Sequence, residues 1–226
     1  MTKGLSENDN TNLFTAYNML LSFTGSFILY EPQQGCINDL VEQDMFKSLP
    51  LESDNPKFIL GASYLGKINT EGLFDYDEII NDHLELFGGK GRAYAPPYGS
   101  VYMSKDHIMN DKSSTEVRKI YKAYGWQSTM EGTVPADHLG IELQFIILLL
   151  GKYPELEDDV CRQEIRNDLV KFIDKYISPW INDWNRNIQE HSKSNFYKGI
   201  GHLTVACIED VYSLMKETTG TGPIFD

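Results

Sequence analysis

The sequence predicts an all-α chain, a helical bundle of about nine helices in two packed halves joined by a hinge. Two observations lead there. Apolar residues recur at three- and four-residue spacing along most of the chain of 226 residues, and the alternation that a half-buried strand requires is scarce. Prolines at 32, 50, 154 and 179 then punctuate the periodic segments.

Leu13, Tyr17, Leu20, Leu21, Phe27 and Ile28 mark the apolar face of a first helix, ended by Glu31-Pro32. Ile37, Leu40, Val41 and Met45 mark a second, stopped before Pro50. The stretch PKFILGASYLGKI, 56–68, reads as a third. A fourth carries a stripe of Tyr76, Ile79, Ile80, His83, Leu84 and Phe87. The following GGKGRAYAPPYGSVY, 88–102, cannot continue that helix, because glycines and prolines break it. Ser113 and Glu116 have capping-box spacing ahead of Val117, Ile120, Tyr121 and Tyr124, with Gly125 placed to end the fifth helix. QSTMEGTV, 127–134, is short and polar, and reads as the hinge. It divides the chain into an N-terminal helical part, 1–128, and a C-terminal part, 129–226. Pro135 is placed to open a helix running to about Lys152. Val160, Ile165, Leu169, Phe172, Ile173 and Tyr176 form the next, ended by Ser178-Pro179. Trp180, Ile181, Trp184 and Ile188 make a short helix, and Phe196, Ile200, Leu203, Cys207, Val211 and Met215 line a long last one capped by Ser194.

Composition narrows the function. At 41% hydrophobic and 12% aromatic residues the chain is of ordinary globular type. Its net charge of −13, with the acid excess concentrated in the first 91 residues, excludes nucleic acid as a partner and would steer in a basic peptide or protein surface. The longest apolar run, Phe145–Leu150, falls far short of the roughly 18 residues of a membrane span, so no membrane insertion is expected. Three cysteines, Cys36, Cys161 and Cys207, stand far apart and support neither a disulfide framework nor a CxxC site. With a polar N-terminus lacking an apolar core, they point to the reducing cytoplasm.

Chemistry-bearing motifs are few. His138 and Glu142 stand four apart on one helix face and would supply two metal ligands, but a metal site needs three or four. GGKGRA lacks the GxxxxGK[ST] spacing and the preceding strand of a phosphate loop. No serine or cysteine carries the signature of an activated nucleophile. No catalytic set, metal site or cofactor is therefore expected. Asp137 and His138 sit at a helix start, where a carboxylate accepts backbone N–H bonds, and Tyr98 and Tyr102 lie beside prolines, either plugging a seam between helices or offering a surface that grips peptides.

In order along the chain, LFGGKGRAYAPPYGSVY (86–102), VPADHLGIELQF (134–145), ISPWI (177–181) and FYKGIGHLT (196–204) resemble the TorD/DmsD family of cytoplasmic chaperones for molybdoenzymes exported by the twin-arginine pathway. The glycine–proline loop followed by P-x-D-H-x-G-x-x-L is the specific part. The resemblance implies a redox enzyme maturation chaperone that binds the twin-arginine signal peptide of an apo-reductase of DMSO or TMAO type, and delays export until the molybdopterin cofactor is inserted. Carried over by motif, the peptide site comprises Leu86, Phe87, Pro97, Tyr98, Ser100, Tyr102, Pro135, Asp137 and His138. It also implies a monomer able to exchange its halves at the hinge into a domain-swapped dimer. Two positions depart from the family pattern: Val134 stands where a Glu commonly precedes the motif proline, and Tyr98 stands where many members have Trp. An alternative of another class is a small helical metal- or nucleotide-dependent enzyme using His138 and Glu142.

Overall fold

The computed structural model describes residues 7–70, 75–88, 93–104 and 111–217. Among these it holds ten α-helices: α1 (Glu7–Leu29), α2 (Gln34–Glu42), α3 (Pro56–Thr70), α4 (Tyr76–Phe87), α5 (Gly99–Met103), α6 (Asp111–Ala123), α7 (Leu139–Lys152), α8 (Asp159–Phe172), α9 (Ile181–His191) and α10 (Asn195–Glu217). A 3-10 turn, Tyr153–Glu155, follows α7, and α8 runs on through a π-turn, Ile173–Ile177. No strand occurs among the described residues, and the fold is all-α as the periodicity requires. None of their helices is long and apolar enough to cross a membrane.

The long α1 packs on α7 and α10, and α3 lies along α10. Helices from before and after the polar 127–134 segment therefore share one core, from Leu21 and Leu65 to Leu149 and Leu203. The α3–α10 crossing is close because glycines face each other there. A Cβ on Gly199 would fall 2.7 Å from Leu65 Cγ and 3.1 Å from the Gly61 carbonyl. A second concentration of packing surrounds Phe145, whose ring meets Tyr121 at 4.8 Å and Phe172 at 5.0 Å between centroids. Truncating so central an aromatic to alanine costs about 3–5 kcal/mol.

Several helix ends follow from local sequence. Gly125 takes φ +63, and the N–H groups of Gly125 and Trp126 donate to Lys122 and Tyr121, closing α6 as a left-handed cap requires. Ser194 accepts the Tyr197 N–H at the start of α10. Four expectations are corrected. α2 ends at Glu42, and with Asp44 at φ 55 the chain turns so that Phe46 is buried while Met45 is exposed. α4 buries Ile79, Asp82 and Leu86 and leaves Leu84 exposed. Asp82 points inward because its carboxylate accepts from the Ser192 hydroxyl at 2.6 Å and from the Ser194 N–H at 2.8 Å, fastening the turn between α9 and α10. Ser113 is not a cap, since α6 already begins at Asp111. Val160, in the first turn of α8, faces solvent, and Asp158 caps that helix by accepting the Cys161 N–H.

Candidate functional site

Two stretches distant in sequence meet beside the last turn of α4. The returning chain is tied to that turn: the Tyr94 N–H donates to the Glu85 carbonyl at 3.0 Å and the Ala95 N–H to Leu86 at 2.8 Å. Pro97 and Tyr98 then run antiparallel to residues 137–139. Leu139 N–H donates to the Pro97 carbonyl at 2.8 Å, and Gly99 N–H to Asp137 at 3.2 Å, forming a single bridge between Tyr98 and His138. α5 starts at this point, and its free N–H groups need an acceptor. The Asp137 carboxylate supplies one, accepting from the Ser100 N–H at 3.1 Å.

The Pro135–His138 turn is pinned from its other side. Ser114 Oγ accepts the Ala136 N–H at 2.8 Å, and the Tyr121 hydroxyl donates to the Ala136 carbonyl at 2.9 Å. The second of these bonds takes the Ala136 carbonyl, which a helix opening at Pro135 would need for the Gly140 N–H. The expectation that Pro135 opens the helix is therefore corrected: α7 begins at Leu139, with His138 as its extended N-cap. His138 Nδ1 accepts the Gly140 N–H at 3.0 Å, which places the ring proton on Nε2. His138 as a whole is 5% exposed. Burial, with the nearby His83 adding to it, holds its pKa down to about 3, so it is neutral. The Tyr98 ring meets it edge-on at 5.0 Å.

Glu142 lies one turn into α7, 1% exposed, and neither carboxyl oxygen has a hydrogen-bond partner. Burial, and then the neighbouring Asp137, push its pKa well above the usual carboxylate range, so it is held protonated. The His138–Glu142 pair does not gather further ligands. Among the described residues no group of three or more His, Cys, Asp or Glu is arranged to hold a metal.

Beneath the corner lies an aromatic floor. Phe87 stacks on Trp184 at 6.2 Å and meets Tyr197 edge-on at 5.3 Å. Tyr102 stacks on Trp180 at 5.2 Å and 19°. Gly99 permits this approach, because a Cβ there would lie 2.9 Å from Trp180 Nε1. Three buried polar groups here, Ser100 Oγ, the Tyr102 hydroxyl and Trp184 Nε1, have no hydrogen-bond partner within the chain. Buried polar groups are ordinarily satisfied, so these are groups that the chain itself does not match.

The structure brings the nine residues singled out from the sequence to this corner or to its floor. Leu86, Pro97, Ser100, Asp137 and His138 are buried, whereas Phe87, Tyr98, Tyr102 and Pro135 are half-buried. Sequence reasoning missed Trp184, Tyr197 and His83 as the floor, although Trp184 and Tyr197 sit in or next to the ISPWI and FYKGIGHLT stretches. It also missed Ser114 and Tyr121, whose bonds to Ala136 join residues that only the fold brings together.

Fold and corner together define an all-α protein with a two-loop corner set over buried aromatics. Residues 62–186 match the family model for the nitrate reductase delta subunit, and the chain belongs to this family, to which the TorD/DmsD resemblance points. The match takes in both loops of the corner. Among curated relatives, a protein of Vibrio vulnificus (strain YJ016) named chaperone protein TorD is 30% identical over 134 residues, 59% of this chain and 62% of its own length. A chaperone protein TorD of Aliivibrio salmonicida is 29% identical over 147 residues, 62% of this chain and 66% of its own. One of Photobacterium profundum is 26% identical over 141 residues, 62% and 65%. The aligned region thus spans slightly under two thirds of these relatives.

Proposed function

We propose that the protein is a cytoplasmic maturation chaperone, not an enzyme, that binds the twin-arginine signal peptide of an apo-molybdoreductase of DMSO or TMAO type and delays its export until the cofactor is in place. Family membership and the names of the relatives support the chaperone class. The observation that carries the peptide reading is the corner itself, where the Tyr98 and His138 stretches pair and leave Tyr98 half-buried, close in the chain to the unmatched Ser100 Oγ. The peptide site is proposed at Leu86, Phe87, Pro97, Tyr98, Ser100, Tyr102, Pro135, Asp137 and His138. Peptide backbone carbonyls are suitable acceptors for Ser100 Oγ and Trp184 Nε1. The peptide's arginines are drawn by the net charge of −13, with Asp137 the first carboxylate to receive one. Asp137 is 1% exposed, so an arginine reaches it only by entering between the paired loops, where the bond is charge-assisted and desolvated. The 127–134 segment forms the proposed hinge between the two parts of the chain, with the free protein a monomer.

The test is copurification. The tagged chain is expressed with an apo-molybdoreductase precursor from the same host, with and without the leader. Retention of the precursor and loss of the leaderless form support the reading; equal retention of both, or of neither, contradicts it.

A further inference from the structure

Away from the corner, α1 and α2 enclose an open apolar groove of about 710 Å³. It is lined by Met19, Ser22, Phe23, Ser26 and Phe27 from α1, by Tyr30 just past the end of α1, and by Cys36 and Leu40 from α2. Met19 is 56% exposed and Tyr30 45%. α1 is thus apolar on a second face, besides the one buried against α7 and α10. Met19 and Tyr30 stand exposed at either end of a cleft whose base is the half-buried Phe23 and the buried Phe27, and an apolar cleft left open to water marks an interaction surface.

Three features select the occupant. The first is length. The groove follows α1 from Thr15 to Tyr30, ~22 Å at 1.5 Å per residue, which matches an apolar helical segment of about 15 residues. The second is charge. From Gly4 to Phe46 the chain carries Glu7, Asp9, Glu31, Asp39, Glu42 and Asp44 and no Lys or Arg. Glu31 lines one end of the groove. The third is continuity with the corner. Phe27, in the groove wall, accepts through its carbonyl the Tyr197 hydroxyl proton at 3.1 Å. Tyr197 bonds His83 at 3.0 Å and packs its ring on Phe87. Glu31 acts electrostatically on both His83 and Tyr197. The acidic end of the groove therefore abuts the aromatic floor of the corner.

We infer that this groove is a second peptide subsite, which takes the apolar helical stretch of a basic-ended peptide whose arginines lie at the Tyr98–His138 corner. The inference rests on the proposed peptide reading and adds where the apolar part lies. At the corner itself Leu86 is fully buried and Tyr102 is already stacked on Trp180, so neither offers the apolar part a free face. The groove residues lie outside the family match of 62–186.

The test uses the full chain and two synthetic peptides, one with a twin-arginine segment followed by a leucine-rich stretch, the other ending before that stretch. Met19→Glu and Ser22→Glu place a charge in the groove at exposed positions, where the fold tolerates it. Binding is read by titration calorimetry, with circular dichroism to check folding and sedimentation to check mass. Each variant should lose about tenfold or more in affinity for the long peptide, the scale of burying an unpaired charge, and bind the short one as the parent does. Long-peptide affinity equal to the parent's in both folded variants overturns the groove assignment while leaving the corner reading intact. A parent dimer that either variant dissociates makes a second copy of the chain the occupant, and also overturns it. Failure of the parent to bind either peptide removes both the groove and the reading on which it rests.

Discussion

Glu142→Gln is the most informative single substitution for the architecture of the corner. The carboxyl is buried with both oxygens unpartnered. Its pKa is raised from the usual 4.5, by burial first and Asp137 second. Above pH 4.5 the unfolded chain ionises this group while the folded chain holds its proton. Stability is therefore fully present below that pH and is lost as pH rises, by about 1.4 kcal/mol per unit, until the raised folded pKa is reached. His138 works in the opposite direction. Its pKa falls from 6.5 to about 3 on folding, so its contribution is full above 6.5 and is lost as pH falls towards 3. From pH 4.5 upward the two slopes oppose, and above 6.5 the His138 contribution is flat. Glutamine does not titrate, so the variant should gain on the parent as pH rises above about 5, at a rate on the order of 1 kcal/mol per pH unit. Urea unfolding followed by tryptophan fluorescence at several pH values measures this. Parallel pH profiles for parent and variant would refute the reasoning, because they would mean that Glu142 is ionised, or paired, in the folded protein.

Other outcomes follow from the same geometry. Gly199→Ala should lower stability by about 1–3 kcal/mol, the usual cost of overpacking, because the new methyl meets Leu65 and the Gly61 carbonyl; an unchanged melting midpoint would place the α3–α10 crossing further apart. Asp137→Ala should weaken twin-arginine peptide binding by roughly 1–3 kcal/mol and loosen α5 by removing the acceptor for the Ser100 N–H, read by calorimetry and amide exchange at residues 99–103. Tyr98→Ala should weaken the same binding with little dependence on salt, whereas parent association should slow as salt rises, since at ~0.1 M the Debye length is near 10 Å. Concentrated protein should yield some dimer that exchanges halves through residues 127–134; a strictly monomeric protein under conditions that partly unfold it would argue against the hinge.

Much of the fold was legible in the sequence because helices declare themselves by apolar spacing and by punctuation. Gly125 and Ser194 close and open their helices as their residue types require. What escaped involves polar groups whose partners are distant. Asp82 sits in an otherwise apolar stripe, and its inward turn makes sense only once Ser192 and Ser194 are seen beside it. The start of α7 was misplaced because the partners of Ala136, Ser114 and Tyr121, belong to another helix. At the corner, the two loops could be named from their motifs, but their pairing through Pro97, Asp137 and Leu139 could not be derived from spacing. The α1–α2 groove stayed hidden for a related reason. One apolar face of α1 accounts for its periodicity, and the second becomes visible only when the first has been covered by α7 and α10.

The central claim is that the corner formed by the Pro97–Tyr102 and Pro135–His138 stretches receives a twin-arginine signal peptide. Calorimetric titration of the chain with the leader of a reductase from the same host, against the same leader with both arginines changed to lysine, tests it directly. The account predicts saturable binding of the arginine peptide, weaker binding of the lysine peptide, which cannot pair bidentately, and loss of affinity in Asp137→Ala and Tyr98→Ala. Equal binding of the two peptides, with both folded variants behaving as the parent, would contradict it.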